Sequence, residues 1–568
     1  MTGGRDRGAA PAAARSLRIL FVVRHFMYLR NYETTLRGLA ARGHHVVLGY
    51  EEAHEKVTAD VAALADQLVA ELPSIELLPL PARRDLWTEL AHQVRSLRNY
   101  LRYLTPRLRH AAKCARRAEG YLYPPLRRIG ELPEARRERL ALRLSRLLYW
   151  TELALPLDRR ILGAVRAARP DVIAITPLID LNSMQAEYLK VGRRLGVPTV
   201  HCVASWDNLT NKGVVPLDPD RMLVWNEAQR HEAVELHGVA PERVAITGAQ
   251  LFDPWFERRP SRDRETFCRQ VGLDPGRPFV LYTCSSVFIA RYESVFLKRW
   301  LAALRAADDP RLRSVGVLIR PHPGSAKFAG QWDAPEIRDA ENVAVHPRLG
   351  GYPVNESARA DYFDSLWHAA AVVGINTSAM LEAGILGKRC YTVLDPEIAE
   401  SQEGMVHFAH LTRDGFLMAA DGFAAHLAQL SRGLDASAEE AARIRRFVGD
   451  FLRPHGLDRP ATPIAVAALE SAAGLKPAGL PLWPRLFQPL LLPAALYLRA
   501  AAGGRGTKKW DKISFGGRVV RAVGHGAKWA NSRLVRRPAR AAAAFWQRAT
   551  ESPKRRAKRR RRQAGQSR

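Results

Sequence analysis

"AAVVGINTSAMLEAGILGKRCYTVLD" (370–395) decides the fold. It reads as a buried strand, a polar turn, a helix that stops at glycine and a second buried strand. A strand, a helix and a strand in that order imply a parallel sheet. Burying a core does not require Asn376, Thr377 and Ser378 in a row at the strand end. A helix starting near Ser378 would point the free N–H groups of its first turn toward a phosphate. Glu382, one turn further in, is placed to accept hydrogen bonds from vicinal hydroxyls such as those of a ribose. The plainer alternative is an ordinary Ser or Thr cap with Glu as its dipole partner.

The same pattern extends toward the N-terminus. "LRILFVV" (17–23), "HHVVLGY" (44–50), "DVIAITP" (171–177), "PTVHCVA" (198–204), "RMLVWN" (221–226) and "RVAITGA" (243–249) form one series. "PFVLYTC" (278–284), "VGVLIRPH" (315–322), "NVAVHP" (342–347), "AAVVGIN" and "RCYTVLD" form another. These runs are apolar on both faces, as parallel strands covered by helices must be. The expected fold is therefore α/β, two doubly wound Rossmann-like domains in tandem, with a ligand cleft between the carboxyl ends of their strands. The expected boundaries are a disordered 1–16, a first domain over 17–260 with a helical insert at 86–165, a second over 261–475, and a tail over 476–568.

Length and charge agree with this division. At 568 residues the chain exceeds what one core serves, and 47% hydrophobic residues suffice for two. Of the net charge of +30, Arg505 to Arg568 supplies +19, with 21 Lys and Arg against 2 Asp and Glu, so the body is only mildly basic. Five scattered cysteines without CxxC spacing indicate neither a disulfide framework nor a zinc site. The first 16 residues lack the apolar core of a signal peptide, so secretion is not expected. The apolar run Phe487–Leu498 is too short to span a bilayer, but with Trp483 and Tyr497 it suits the interface. "SPKRRAKRRRRQ" is too charged to fold alone; anionic lipid is its expected partner, rather than nucleic acid. The insert's Leu, Tyr and Trp repeat at helical spacing, with Arg on the other face, which is expected either to be solvated or also to touch anionic lipid.

Four further stretches are candidates for chemistry. In "IRPHPGS" (319–325), two prolines present Arg320 and His322 rigidly at a strand end, one with a fork of donors for phosphate, the other with a hydrogen bond or proton for a departing one. In "YTCSSVF" (282–288), Ser285 and Ser286 allow close approach of a phosphate. After the first strand, "RHFMYLRNYETTL" (24–36) has no GxGxxG; its bulky Arg24, His25, Tyr28 and Arg30 argue for a polar or anionic substrate there. In "ASWDNLTNKG" (204–213), an exposed Trp206 beside Asp207 and Asn208 would suit sugar binding, and Asp207 could serve as a base; the alternative is a Trp packed under its loop with Asp-Asn making an Asx turn. Gln402, Glu403 and His407 complete the proposed donor pocket.

With these residues the chain resembles glycosyltransferases of the GT-B architecture. Its second half is most similar to the group containing CDP-glycerol glycerophosphotransferases, capsule-polysaccharide transferases and UDP-N-acetylglucosamine 2-epimerases. In that group an RxHP-like segment and a Ser/Thr-rich turn leading into LEAxxxGK contact the donor. Here these are Arg320, Pro321, His322 and Pro323, then Thr377, Ser378, Leu381, Glu382, Ala383, Gly387 and Lys388. Together with the strand-end readings above, this gives an expected donor site of Ser285, Ser286, Arg320, His322, Asn376, Thr377, Ser378, Glu382 and Lys388, and an expected acceptor site of Arg24, Tyr28, Trp206, Asp207 and Asn208. Arg320, His322 and the helix N-terminus at Ser378 are expected to stabilise the leaving group, and Asp207 or His25 to take the acceptor proton. No cofactor or metal is expected. The implied activity is transfer of a sugar or polyol-phosphate from a nucleotide-activated donor to a surface-polysaccharide or lipid-linked acceptor, in the cytoplasm at the inner face of the membrane. A CDP-glycerol-type glycerophosphotransferase, an epimerase and a non-catalytic nucleotide- or glycan-binding protein are the alternatives. The epimerase's Gly-Thr-Arg-Pro start and Ser-Gly-Gly turn are replaced by "VRHFMYLRN" and "INTSAM".

Overall fold

The computed structural model describes residues 15–51, 59–435 and 437–502. Seven parallel strands form the first sheet: β1 (Arg18–Val23), β2 (His45–Glu51), β3 (Ile75–Leu80), β4 (Val172–Thr176), β5 (Thr199–Cys202), β6 (Arg221–Val224) and β7 (Val244–Ile246), in the order β3-β2-β1-β4-β5-β6-β7. Six form the second: β8 (Phe279–Thr283), β9 (Gly316–Arg320), β10 (Val343–Val345), β11 (Ala371–Gly374), β12 (Cys390–Leu394) and β13 (Leu417–Asp421), in the order β10-β9-β8-β11-β12-β13. The central strands β4, β8 and β9 are buried along their whole length. Helices cover them on both sides, which is why their sequences do not alternate.

Two strands escape the sequence pattern, and both lie at sheet edges. β3, "IELLPL", is only partly buried and carries Pro79, a residue tolerated where no neighbour needs its N–H. β13, "LMAAD", is half-exposed and rich in alanine, a weak strand former. All five cysteines are buried thiols.

After the second sheet the chain returns to the first domain. The helix Ala461–Ala472 buries Val466, Leu469 and Ala472 against Leu36 and the β1–β6 side of the first core. The helix Gln488–Ala501 then packs on the insert, with Ala495 and Leu498 beside Leu90 and Val94. The proposed basic tail beyond Ala502 and the N-terminal 1–14 lie outside the described residues.

The insert, chiefly the helices Thr88–Leu101, Ala112–Glu119 and Glu134–Ala154, departs from expectation in one respect. Its first arginines are not solvated: Arg95, Arg98 and Arg102 are all buried. Arg95 donates to both carboxylate oxygens of Glu152, at 2.8 and 2.7 Å, and Lys190 reaches the same carboxylate at 3.2 Å. Glu187 completes the cluster, accepting from Arg83 at 2.8 Å. Burial alone would push both carboxyl pKa values up; the facing cations more than reverse this and hold them below the ordinary carboxylate range. Arg98 and Arg102 instead satisfy backbone carbonyls of Pro216, Leu209 and Gly213. The buried cations thus fasten the insert to the first domain.

Removing one charge from such a cluster strands the others. Glu187→Ala is expected to lower stability by roughly 3–5 kcal/mol in urea unfolding, whereas Glu134→Ala on the exposed end of the insert should cost less than about 1 kcal/mol.

Candidate functional site

Each sheet reverses its strand order beside a central strand, between β1 and β4 in the first and β8 and β11 in the second. Crossovers leave such a point in opposite directions, opening a crevice at the carboxyl ends. At the second switch point Gly374 lets β8 and β11 end side by side. A Cβ there would stand 2.8 Å from the carbonyl oxygen of Thr283.

A crevice runs from this point between the domains. One chamber, about 190 Å³, is lined by Glu33, Trp225, Trp255 and Arg359 among others. A second, about 110 Å³, is lined by Arg320, His322, Tyr352 and Thr377. Arg30, Tyr362, Ser378 and Glu382 belong to both walls, so the two chambers form one crevice. Arg30 comes from the first-domain helix Leu29–Ala41 and lies over the ring of Tyr352, 5.2 Å from its centroid. It is exposed and has no acidic partner within ion-pair distance among the described residues.

The strand-end residues meet Arg30 from the second domain. Arg320 ends β9, buried, and donates to Asp361 at 3.0 Å and Ser365 at 2.5 Å. His322 follows, its Nδ1 accepting the N–H of Gly324 at 3.0 Å. The proton of the neutral ring therefore sits on Nε2. Burial, aided by the charge of Arg30, pushes the His322 pKa down to about 4. At neutral pH this is an uncharged N–H donor rather than an imidazolium acid. Gly350, with φ of 66°, lets the loop that carries Tyr352 lie on His322; a Cβ would come within 2.8 Å of the His322 carbonyl oxygen.

The Asn-Thr-Ser turn divides its roles. Thr377 and Ser378 face the crevice, and their backbone N–H groups have no protein acceptor among the described residues. Asn376 is buried and donates to the Ser401 carbonyl at 2.8 Å, so it braces the turn instead of facing a ligand. Glu382 accepts a short hydrogen bond from the Tyr362 hydroxyl. Burial raises its pKa to about 7, against the pull of Tyr362, Arg30 and Arg320.

Several expected site residues lie elsewhere. Ser285 is buried, its N–H donating to Glu293 at 2.7 Å, and neither it nor Ser286 lines the crevice. Lys388 sits just before β12, at the amino end of the sheet, with the whole helix Ala379–Ile385 between it and the crevice. Trp206 does line the first chamber, but not as an exposed stacking platform: it is 4% exposed and meets His407 edge-on, 4.9 Å between ring centroids. Asp207 accepts from Asn211 at 2.5 Å and Asn208 at 3.3 Å. Burial would raise its pKa, but His407 and Lys212 hold it below the ordinary range, which makes it a weak base. Neither Asp207 nor Asn208 lines the crevice. His25 is buried against Tyr28, 4.8 Å between rings, and does not line it either. Arg24 and Tyr28 both turn to Asp180, at 3.1 and 2.8 Å, a carboxylate that Lys212 also reaches at 3.0 Å. Of the supplementary residues, Gln402 donates to Val393 and Thr392, holding the end of β12.

His407 is the surprise among them. Thr210 of the first domain bonds its Nδ1 at 3.1 Å, while Asn376 of the second stands 3.4 Å from Nε2. A second tie, Arg359 to Glu33 at 2.7 Å, crosses the crevice farther out. Sequence reading missed Glu33, Trp255, Tyr352, Arg359 and Tyr362, because they come from helices and loops with no motif. Arg30 was visible as a bulky cation where glycines would otherwise stand.

This is the GT-B layout. Two Rossmann-like sheets face each other across a crevice, and a C-terminal helix returns to the first. Among solved structures, similar ones include a glycosyltransferase from Rickettsia africae ESF-5 (8% identity, TM-score 0.47, covering 81% of this chain and 99% of that one). The UDP-GlcNAc 2-epimerase from Methanocaldococcus jannaschii is similar at 11% identity and TM-score 0.41, covering 80% and 99%. WaaG, a glycosyltransferase involved in lipopolysaccharide biosynthesis, is similar at 13% identity and TM-score 0.39, covering 80% and 100%. No protein-family model and no curated protein matches the chain.

The raised pKa of Glu382 has a direct consequence for stability. Below its unfolded value of 4.5 the carboxyl is protonated in both states; between there and about 7 only the folded chain keeps the proton. Stability therefore falls as pH rises through that window. Glu382→Gln should remove this loss, so that the variant gains on the wild type by on the order of 1–3 kcal/mol between pH about 5 and 8 in urea unfolding.

Proposed function

We propose that the chain is a glycosyltransferase that moves a sugar, or a polyol-phosphate, from a nucleotide-activated donor to a surface-polysaccharide or lipid-linked acceptor. The observation that carries this reading is the convergence, at the β8/β11 switch point, of Arg30, Arg320, His322 and the unpaired N–H groups of Thr377 and Ser378. Two guanidinium groups and neutral donors around one crevice suit a diphosphate. Tyr352, Tyr362 and Trp255 supply aromatic walls, and Glu382 can accept from the hydroxyls of a ribose.

In the proposed reaction the acceptor hydroxyl oxygen forms a bond to the transferred carbon or phosphorus as the bond to the nucleotide's phosphate oxygen breaks, and the hydroxyl proton passes to the departing phosphate. Negative charge then grows on the departing phosphate. Arg30, Arg320 and the Nε2–H of His322 are arranged to stabilise that charge, in a site where their dipoles need little reorganisation. Asp207 and His25, the bases expected from sequence, stay outside this mechanism because neither faces the crevice. The surface-glycan pathway and the inner face of the cytoplasmic membrane belong to the same proposal; they rest on the resemblance of the RPHP and LEAGILGK segments and on the basic tail. Among the described residues, no helix is long and apolar enough to cross a membrane.

The test is incubation with labelled nucleotide sugars and polyol-phosphate donors, with and without glycan acceptors. Acceptor-dependent release of free nucleotide is expected. Tight binding without turnover would instead make the chain a non-catalytic module. His322→Ala is expected to lower kcat about 10²-fold or more, and Arg30→Ala to lower kcat/KM comparably; a wild-type rate in both variants contradicts these roles.

A further inference from the structure

An exposed apolar feature lies on the insert, outside the crevice. The outward face of the helix Glu134–Ala154 carries Leu142, Leu147 and Trp150, exposed at 53, 60 and 43%. Against this helix packs a segment more than 300 residues later in the chain: Trp483 meets Trp150 at 4.9 Å between rings, and Gln488 donates to the Ala154 carbonyl at 2.7 Å. The later segment adds Leu486 and Leu490, exposed at 78 and 74%, with Phe487 between them. Two elements remote in sequence thus build one raised apolar surface with aromatic rings at its centre.

Its charge is of one sign. Arg136, Arg139, Arg143 and Arg146 are exposed on the same helix, interleaved with the leucines at three- and four-residue spacing. None has an acidic partner within ion-pair distance among the described residues. From Arg139 to Thr151 and from Ser471 to Trp510 the sequence has no Asp or Glu, and the +19 segment begins at Arg505. This pattern contrasts with the insert's inner arginines, which are buried and satisfied.

We propose that this composite surface, built from the helix Glu134–Ala154 and residues 482–490, docks the protein on an anionic lipid bilayer. Exposed leucines and aromatic rings fit the boundary between headgroups and acyl chains, and the arginines fit lipid phosphates. A second copy of the chain fits poorly, because an isologous contact would bring the same unpaired arginines together. Nucleic acid would leave the leucines exposed to water. The surface goes beyond the transferase reading and assigns the membrane contact to folded residues, not to the tail alone. Glu134–Ala154 packs on Thr88–Leu101, whose Asn99, together with Arg102 just beyond the helix end, holds the loop Leu209–Val214. One helix, Thr88–Leu101, thus connects the helix that bears the surface to the loop that meets His407.

The test is co-sedimentation of the full chain with vesicles of phosphatidylcholine alone or with about 30% phosphatidylglycerol. It uses no donor or acceptor, so its outcome is independent of the transferase assay. Binding is expected to the anionic vesicles. Leu486→Ser, Phe487→Ser and Leu490→Ser together should weaken it about tenfold or more. Arg139→Glu, Arg143→Glu and Arg146→Glu together should weaken it similarly, and both variants should keep the wild-type melting temperature because the replaced side chains are largely exposed. A chain ending at Gly503 should retain part of the binding. Wild-type partition by both triple variants would overturn the proposal, as would complete loss in the truncated chain. So would a dimer in sedimentation that the Leu486→Ser triple variant dissociates without any change in vesicle binding.

Discussion

His407 sits where the two domains close on each other. Its imidazole shares a hydrogen bond with the Thr210 hydroxyl, stands beside Asn376, and packs edge-on against Trp206. Burial pushes its pKa down to about 4, against the pull of Asp207, so the ring works as a neutral link. Because Asn376 also braces the turn that exposes Thr377 and Ser378, the link fixes that turn relative to the first domain. Arg30 can then meet Arg320 and His322 across a crevice of defined width, with the Arg359 to Glu33 pair as an outer strut.

The insert strengthens the same junction. Arg102 and Asn99 hold the Leu209–Val214 loop from behind, and Arg117 donates to the Asn211 carbonyl. On the other side Lys113 reaches the Ile289 carbonyl at 2.8 Å and Ser401 at 2.5 Å in the second domain. One insertion therefore touches both domains beside the crevice while its outer helix presents arginines and leucines to the surroundings. A segment that reads in sequence as a helical decoration is a brace between the domains.

The sequence carried the architecture because buried parallel strands are continuous apolar runs, and eleven of the thirteen strands announce themselves that way. β3 and β13 did not: Glu76 and Pro79 interrupt the first and alanines dilute the second, whereas the other edge strands, β7 and β10, keep valines that mark them despite partial exposure. At the site, Arg320, His322, Thr377, Ser378 and Glu382 were legible because prolines or a polar turn at a strand end have no packing reason to be there. Ser285 and Asn376 resemble ligands in sequence but serve buried hydrogen bonds, a distinction only the partners Glu293 and Ser401 reveal. Trp206 misled for the same reason: its polar neighbours implied exposure, and His407, some 200 positions away, covers it. The insert's arginines could not be sorted into buried and exposed sets from spacing alone, because their partners Glu152 and Glu187 come from separate helices.

The central claim is that the crevice at the β8/β11 switch point is built for a nucleotide's phosphates. A crystal structure of the full chain with a bound nucleoside diphosphate tests it most directly. The phosphate oxygens should lie within about 3 Å of donors from Arg30 or Arg320, His322 Nε2 and the N–H groups of Thr377 and Ser378. A diphosphate held instead at the carboxyl ends of β1 and β4, beside Arg24 and Lys212, would contradict the account.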